Sequence, residues 1–132
     1  MINYHTVEIN INTIYKLSKE GKIKFLNKNN WTEINKTNFI KSILINSPID
    51  PIHIVRHNEG IHILDGKERI STILEFLDNK LILNSDILPE YNNLDYSDLN
   101  SYIKGDFLLN NIRCLEYSSS SIPMLFELGK FK

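Results

Sequence analysis

With 132 residues the chain has the length of one domain, long enough to bury a core without disulfide or metal staples. Hydrophobic residues at 42% and charged residues at 23% exclude a disordered polar chain, and no run of ~18 apolar residues is present to span a membrane. Lysine and arginine number 15 against 16 acidic residues, so no overall field attracts nucleic acid or an anionic membrane, and any such contact must be local.

Met1 to Thr6 has neither the basic nor the apolar region of a secretory leader, and a cytoplasmic location is expected. Thr6 to Ile9 reads as a short strand. Asn10 stands where an N-cap would, ahead of Ile11, Ile14, Tyr15 and Ser18 at helical spacing, and Gly21 ends that helix. Lys22 to Leu26 reads as extended, and Asn27-Lys28-Asn29-Asn30 as a polar loop that delivers Trp31 as a core plug. Asn35 or Thr37 is predicted to cap a second helix with Phe39, Ile40, Ile43 and Leu44 on its buried face, stopped at Ser47-Pro48. Pro48-Ile49-Asp50-Pro51 is a stiff connector. Ile52 to Arg56 and Ile61 to Leu64 then read as a hairpin across His57-Asn58-Glu59-Gly60.

Gly66 falls between that second strand and a helix from about Lys67 to Leu77, where Ile70, Ile73, Leu74 and Leu77 recur at i, i+3, i+4, i+7. A helix start offers unpaired backbone N–H groups and the positive end of the macrodipole, so it suits an anion. Arg69 adds a two-pronged contact and Lys67 a point charge. Glu68 suits the helix dipole whatever the function, and Asp65 either caps the helix or holds Mg²⁺ through water beside a phosphate. The same residues also make an ordinary turn.

Asp78-Asn79-Lys80 turns the chain into Leu81-Ile82-Leu83, and residues 84–93 read as a loop. Tyr96, Leu99 and Ile103 propose a helix ended by Gly105, followed by extended segments at Phe107 to Leu109 and Ile112 to Tyr117. Cys114, the one cysteine, cannot make an internal disulfide and reads as a small buried apolar residue in a reducing compartment. Ser118 to Ser121 is a polar run before a last apolar stretch, Ile122 to Phe131, helical to Leu128. His53, His57 and His62 lie on or beside the hairpin, and His57 and His62, facing one another near its turn, make an incomplete zinc site with no Cys or third His at suitable spacing. Asp86, Glu90, Asp95 and Asp98 bracket a loop, either as a solvated edge or as a negative patch for a basic partner. The 21 isoleucines and 17 asparagines have A+T-rich codons, which weakens propensity arguments resting on those two residues.

Three stretches carry a family resemblance: Phe39-Ile40-Lys41-Ser42-Ile43-Leu44, Ser47-Pro48-Ile49-Asp50-Pro51-Ile52, and Ile63-Leu64-Asp65-Gly66-Lys67-Glu68-Arg69-Ile70-Ser71-Thr72-Ile73. In that order and separation they resemble the "SIL", "PIPPI" and "DGQQRLTTI" elements of the DUF262 family, the N-terminal domain of GmrS/GmrD-type modification-dependent restriction enzymes. Phe25 and Trp31 match its early aromatic positions, and Tyr96 to Leu99 with Ile112 to Tyr117 is similar to a later helix and strand. The resemblance implies an α+β fold, a ParB/sulfiredoxin-like single domain over residues 1–132 with a small mixed sheet and a hairpin flanked by helices, its motif core at about 39–77. It implies a nucleotide- or nucleic-acid-phosphate-binding domain of a restriction or defence-related system. An NTP with Mg²⁺ would be held by Asp65, Gly66, Lys67 and Arg69, with the metal on Asp65. Residual phosphohydrolase or nuclease activity would fall to Asp65 or Glu68 as the carboxylates at hand.

Departures from the family fall on polar positions. Leu26-Asn27 replaces a Gln-Arg pair, Lys67-Glu68 replaces two glutamines, and Phe126-Glu127-Leu128-Gly129-Lys130 lacks the arginine and asparagine of "FxRxN". Lys67 also stands where sulfiredoxin has its cysteine, so that redox reaction is not expected. Two lost arginines remove charge-assisted contacts of roughly 1.5–3 kcal/mol each, more than a hundredfold in affinity for a phosphate. The alternative is a catalytically inactive phage or mobile-element protein that binds and inhibits or regulates a host nucleic-acid-processing defence protein.

Overall fold

The computed structural model describes residues 1–25, 29–58 and 60–129. The readings that fall on Leu26, Asn27, Lys28, Glu59 and residues 130–132 lie outside the described residues. Five strands, β1 (Tyr4–Asn10), β2 (Ile23–Phe25), β3 (Ile52–His57), β4 (Gly60–Asp65) and β5 (Asn111–Tyr117), form one mixed sheet in the order β1-β5-β3-β4-β2. β1 and β5 are antiparallel, β5 and β3 parallel, β3 and β4 antiparallel, and β4 and β2 parallel. With them stand α1 (Ile11–Lys19), α2 (Glu33–Leu44), α3 (Lys67–Leu77), α4 (Ser101–Leu109) and α5 (Ile122–Glu127) in an α+β domain. Among the described residues no helix is long and apolar enough to cross a membrane.

Alternation sorts the two faces of the sheet. Ile9, Ile52, Ile54, Ile61, Ile63, Ile112 and Cys114 are buried in the main core with Ile11, Ile14, Ile40, Ile43, Ile70, Ile73 and Phe76 from the helices. The alternate positions Leu64, Leu115 and Tyr117 join a second, smaller cluster with Leu125 of α5. At the end of the hairpin His53 pairs with Asp65 while Ile54 pairs with Ile63, so Leu64 is an extra residue in β4. Such a bulge re-aims the side chains beyond it, and here it precedes the turn into α3.

Several local expectations are corrected by the structure. Thr32, with neither Asn35 nor Thr37, caps α2: it has extended backbone, and its hydroxyl accepts from the Asn35 N–H at 3.2 Å. Thr37 lies inside the helix, buried, and accepts from the Asn84 N–H at 3.3 Å. Trp31 is half-buried and packs edge-on against Phe39 at 5.5 Å between ring centroids, so it does not plug the core. Gly105 does not end a helix, since α4 starts under the Asn100 side chain and runs through Gly105 to Leu109. Phe107, predicted extended, is drawn into that helix by packing on Phe76 at 5.4 Å and Tyr96 at 6.0 Å, which outweighs the low helix propensity of one glycine. Among the described residues Leu81 to Leu83 belong to no strand, yet Leu83 exchanges backbone hydrogen bonds with Asn93 and Leu94, and Leu81 and Leu83 are fully buried.

The buried face of α2 holds a residue that periodicity would have placed in solvent. Lys41 is fully buried beside Ile40 and Ile43, while Phe39 and Leu44 are only partly covered. Its ammonium donates to Ser85 Oγ at 3.0 Å, to Asn92 Oδ1 at 2.7 Å and to the Ile87 carbonyl. Asn92 in turn bonds both backbone groups of Ser85, at 3.1 and 2.9 Å. The loop between α3 and α4 is thus wrapped around one cation. Lys41→Ala would strand three acceptors and open a cavity, with an expected loss of roughly 2–4 kcal/mol in unfolding free energy, read as a lower urea midpoint. An unchanged midpoint would show that the loop holds without the ammonium.

Candidate functional site

The turn from β4 into α3 is built around a glycine. Gly66 is buried with φ +106°, a backbone that a side chain opposes. A Cβ there would collide with Ile52 Cδ1 and lie 3.1 Å from Arg69 Nη2. α3 begins at Lys67 as the periodicity predicts, but it makes no side-chain cap bond. Asp65 therefore does not cap it. Its carboxylate is exposed and sits 3.9 Å from His53 Nε2.

Arg69 does not present an open fork at the helix start. Its guanidinium donates to the carbonyl of Asp50 through Nη1 and to that of Pro51 through Nη2 at 3.4 Å. A connector with prolines at 48 and 51 has two fewer N–H groups for a backbone ladder of its own, and the guanidinium supplies donors from across the turn. Lys67 and Glu68 pair loosely at 3.8 Å, both about three-quarters covered. Asn29 reaches the same turn, donating to the Glu68 carbonyl at 3.3 Å and to Thr72 Oγ1 at 3.0 Å. Asp65, Gly66, Lys67, Glu68 and Arg69 are thus together, with Arg69 occupied by backbone.

A second set of groups joins them from the sheet. The His53 Nδ1 and the Tyr117 hydroxyl are 2.8 Å apart, and the two rings stack with centroids 5.7 Å apart and planes 16° from parallel. Tyr4 packs on the other side of Tyr117, at 5.5 Å. Burial pushes the His53 imidazole below its ordinary value, while Asp65 pulls it up and Arg69 pushes it further down. Burial likewise raises the Tyr117 phenol, helped by Tyr4 and Asp65. Sequence reasoning missed Tyr117 because it lies 64 residues from His53 and meets it only where β5 pairs with β3. Alternation in β5 puts it on the face opposite Ile112 and Cys114, so the strand pattern gave no signal for it.

The remaining candidates separate. His57 and His62 approach at 5.9 Å with perpendicular rings, but they are diagonal, since His62 pairs with Val55 and His57 with Gly60. Among the described residues no group of three or more His, Cys, Asp or Glu side chains is placed to hold a metal ion. Asp65 by itself offers one exposed carboxylate, which fits Mg²⁺ only in the manner of a metal shared with a phosphate. Asp95 and Asp98 cap each other's backbone around a short turn at Tyr96–Asp98, and the Ser97 hydroxyl above all holds the Asp95 carboxyl below its ordinary value. Cys114 is buried, and burial pushes its thiol up to about 11, so it packs as a thiol. A cavity of about 540 Å³ between α2 and the Lys41 loop, and another of about 320 Å³ beside Asn46, Asn110 and Asn111, have none of the turn residues 65–69 in their walls.

Comparison of the chain with models of protein families, with curated proteins and with solved structures finds no match.

Gly66→Ala is expected to lose roughly 2–4 kcal/mol of stability from the opposed backbone and the clash with Ile52. Arg69→Ala should lose about 1.5–3 kcal/mol with no ligand present, because both carbonyls lose a charged donor. A purely ligand-binding Arg69 would leave the ligand-free melting curve unmoved. His53 adds a pH dependence: its pKa is depressed on folding, so it supports stability above about pH 6.5 and that support fades as pH falls. His53→Asn should flatten the acid limb of stability against pH, measured by urea titration from pH 7.5 to 5.

Proposed function

We propose that the β4–α3 turn binds phosphate and that the domain is a nucleotide- or nucleic-acid-phosphate-binding module of a restriction or defence-related system. One observation carries the reading. α1, α2 and α4 each begin under a side-chain cap, from Asn10, Thr32 and Asn100, whereas α3, eleven residues long, begins at a left-handed glycine with no such bond. Its first-turn N–H groups and dipole are directed at whatever lies before Gly66. A phosphate would accept from those amides, with the Lys67 ammonium beside it as a point charge. Asp65 would hold Mg²⁺ against the phosphate, and the metal would supply charge neutralisation. Arg69 shapes the site from behind by fastening the connector to the helix. The likeness of Ile63 to Ile73 to the DUF262 turn makes a nucleoside triphosphate the first ligand to try.

A second reading is supported by the same arginine. Its guanidinium is committed to the carbonyls of Asp50 and Pro51, so a phosphate would meet one fewer charged fork than the sequence pattern suggests. On that reading the fold is kept as a scaffold, and the protein acts by contact with a host nucleic-acid-processing protein.

Calorimetric titration with ATP, GTP and CTP in the presence of Mg²⁺, and with a 5′-phosphorylated oligonucleotide, decides between them. Binding that weakens about tenfold in Lys67→Ala, a loss of about 1.4 kcal/mol, supports the phosphate site. If none of the four probes binds at millimolar concentration, the phosphate reading is wrong and the contact protein stands.

A further inference from the structure

We propose that the cavity of about 540 Å³ between α2 and the loop gathered by Lys41 binds an extended, aliphatic, non-acidic peptide segment of a partner protein, with the Asn38 side chain paired to its backbone amide. None of the residues of the β4–α3 turn lines this cavity, so the site stands or falls independently of phosphate binding there. One face of α2 leads into it. Ile34, Asn38 and Lys41 follow one another at i, i+4 and i+7, and they share a side of the helix that passes from solvent to the fully buried lysine.

Asn38 carries the inference. Its Oδ1 is shielded from solvent and meets no hydrogen-bond donor, the one buried side-chain polar atom left so among the described residues. Such an acceptor bears its full desolvation cost, and native structures keep few of them. Among the described residues the amide makes no hydrogen bond at its nitrogen either. Turning it about its last torsion therefore breaks nothing and can bring the oxygen to the cavity side. There a side-chain amide matches a peptide group: Oδ1 accepts from an N–H while Nδ2 donates to a carbonyl.

The walls distinguish a peptide from water. Ile34 and Ile87 both line the cavity, and they are 59% and 55% exposed. An extended chain alternates its side chains and directs its backbone amides sideways, so it can set an aliphatic side chain on the isoleucines and a peptide group on Asn38 together. Ile87 is held in place by its backbone. Its carbonyl accepts from the Lys41 ammonium, and the next residue, Leu88, has φ +47°, a left-handed backbone that its side chain opposes. A loop fixed in this way presents Ile87 before a partner arrives, which lowers the ordering cost of binding. Charge narrows the occupant further. Asp86 is the only charged side chain in the wall, it is exposed, and among the described residues no ion pair engages it. The Lys41 ammonium behind Ser85 and Asn92 offsets it in sign, which favours a neutral backbone over an isolated ion, and an acidic segment would set a second carboxylate against Asp86.

The test selects a random heptapeptide library displayed on phage against the full chain, then titrates the synthetic consensus peptide by NMR. Enriched peptides should carry an aliphatic residue at a fixed position with no acidic residue beside it, and the consensus peptide should shift the Asn38 side-chain amide resonances. Asn38→Ala and Ile87→Ser should each weaken its binding about tenfold or more. Asn38→Ala should also leave the urea midpoint unchanged or raise it, because alanine favours the helix and removes an acceptor that has no donor. An asparagine with a purely structural role would lower the midpoint on replacement. The proposal is overturned by the lack of an enriched consensus, by an acidic consensus, by a consensus peptide that either variant binds as tightly as the parent does, or by a lowered midpoint for Asn38→Ala.

Discussion

Arg69 reaches back from the first turn of α3 to the carbonyls of Asp50 and Pro51, and through that clamp the entry to β3 is held against the start of the helix. The rest of the site follows from it. With the connector pulled in, Ile52 packs directly on Gly66, and only a residue without a Cβ can occupy the turn. His53, next along β3, is then set beside Asp65 at the end of β4. A charged donor is suited to this position, since its planar fork can serve two carbonyls at once while a neutral side chain serves fewer and more weakly.

The same device recurs in α2. Lys41 is buried among neutral acceptors and gathers Ser85, Ile87 and Asn92 around itself, so a loop with no strand or helix of its own over residues 84–88 acquires a fixed shape. Burying a charge without an opposite charge is costly, and three good hydrogen bonds are the compensation. In both places a cation that looks available for a ligand is engaged in holding irregular backbone. Lys67, the other basic residue of the turn, stands at the helix start and pairs loosely with Glu68.

The electrostatic character of the turn comes from neighbours of opposite sign. Burial and the Arg69 guanidinium oppose a charged imidazole at His53, the Asp65 carboxylate favours it, and the balance holds the imidazole below its ordinary value. An imidazole, an exposed carboxylate and a helix start without a side-chain cap meet at this turn, offering both donors and acceptors. The incomplete zinc pair suggested by His57 and His62 has no comparable geometry, because the pairing register makes the two diagonal, while His53 lies against Tyr117.

What the sequence determined by itself was local: the span of α3 from Lys67 to Leu77, the hairpin before it, the glycine between them and the Asn10 cap, each set by a periodicity or by the conformational needs of one residue. Boundaries slipped where several polar residues could cap, as with Thr32 against Asn35 and Thr37, or where aromatic packing kept Gly105 inside a helix. Tertiary structure alone decided which polar groups face one another. The meeting of His53 with Tyr117, the burial of Lys41 and the use of Arg69 by the connector span separations of 64, 44 to 51 and 18 to 19 residues. Those pairings depend on strand order and loop path, and neither is encoded in a residue's immediate neighbours, because hydrogen bonds between distant segments form only after the core has brought them together.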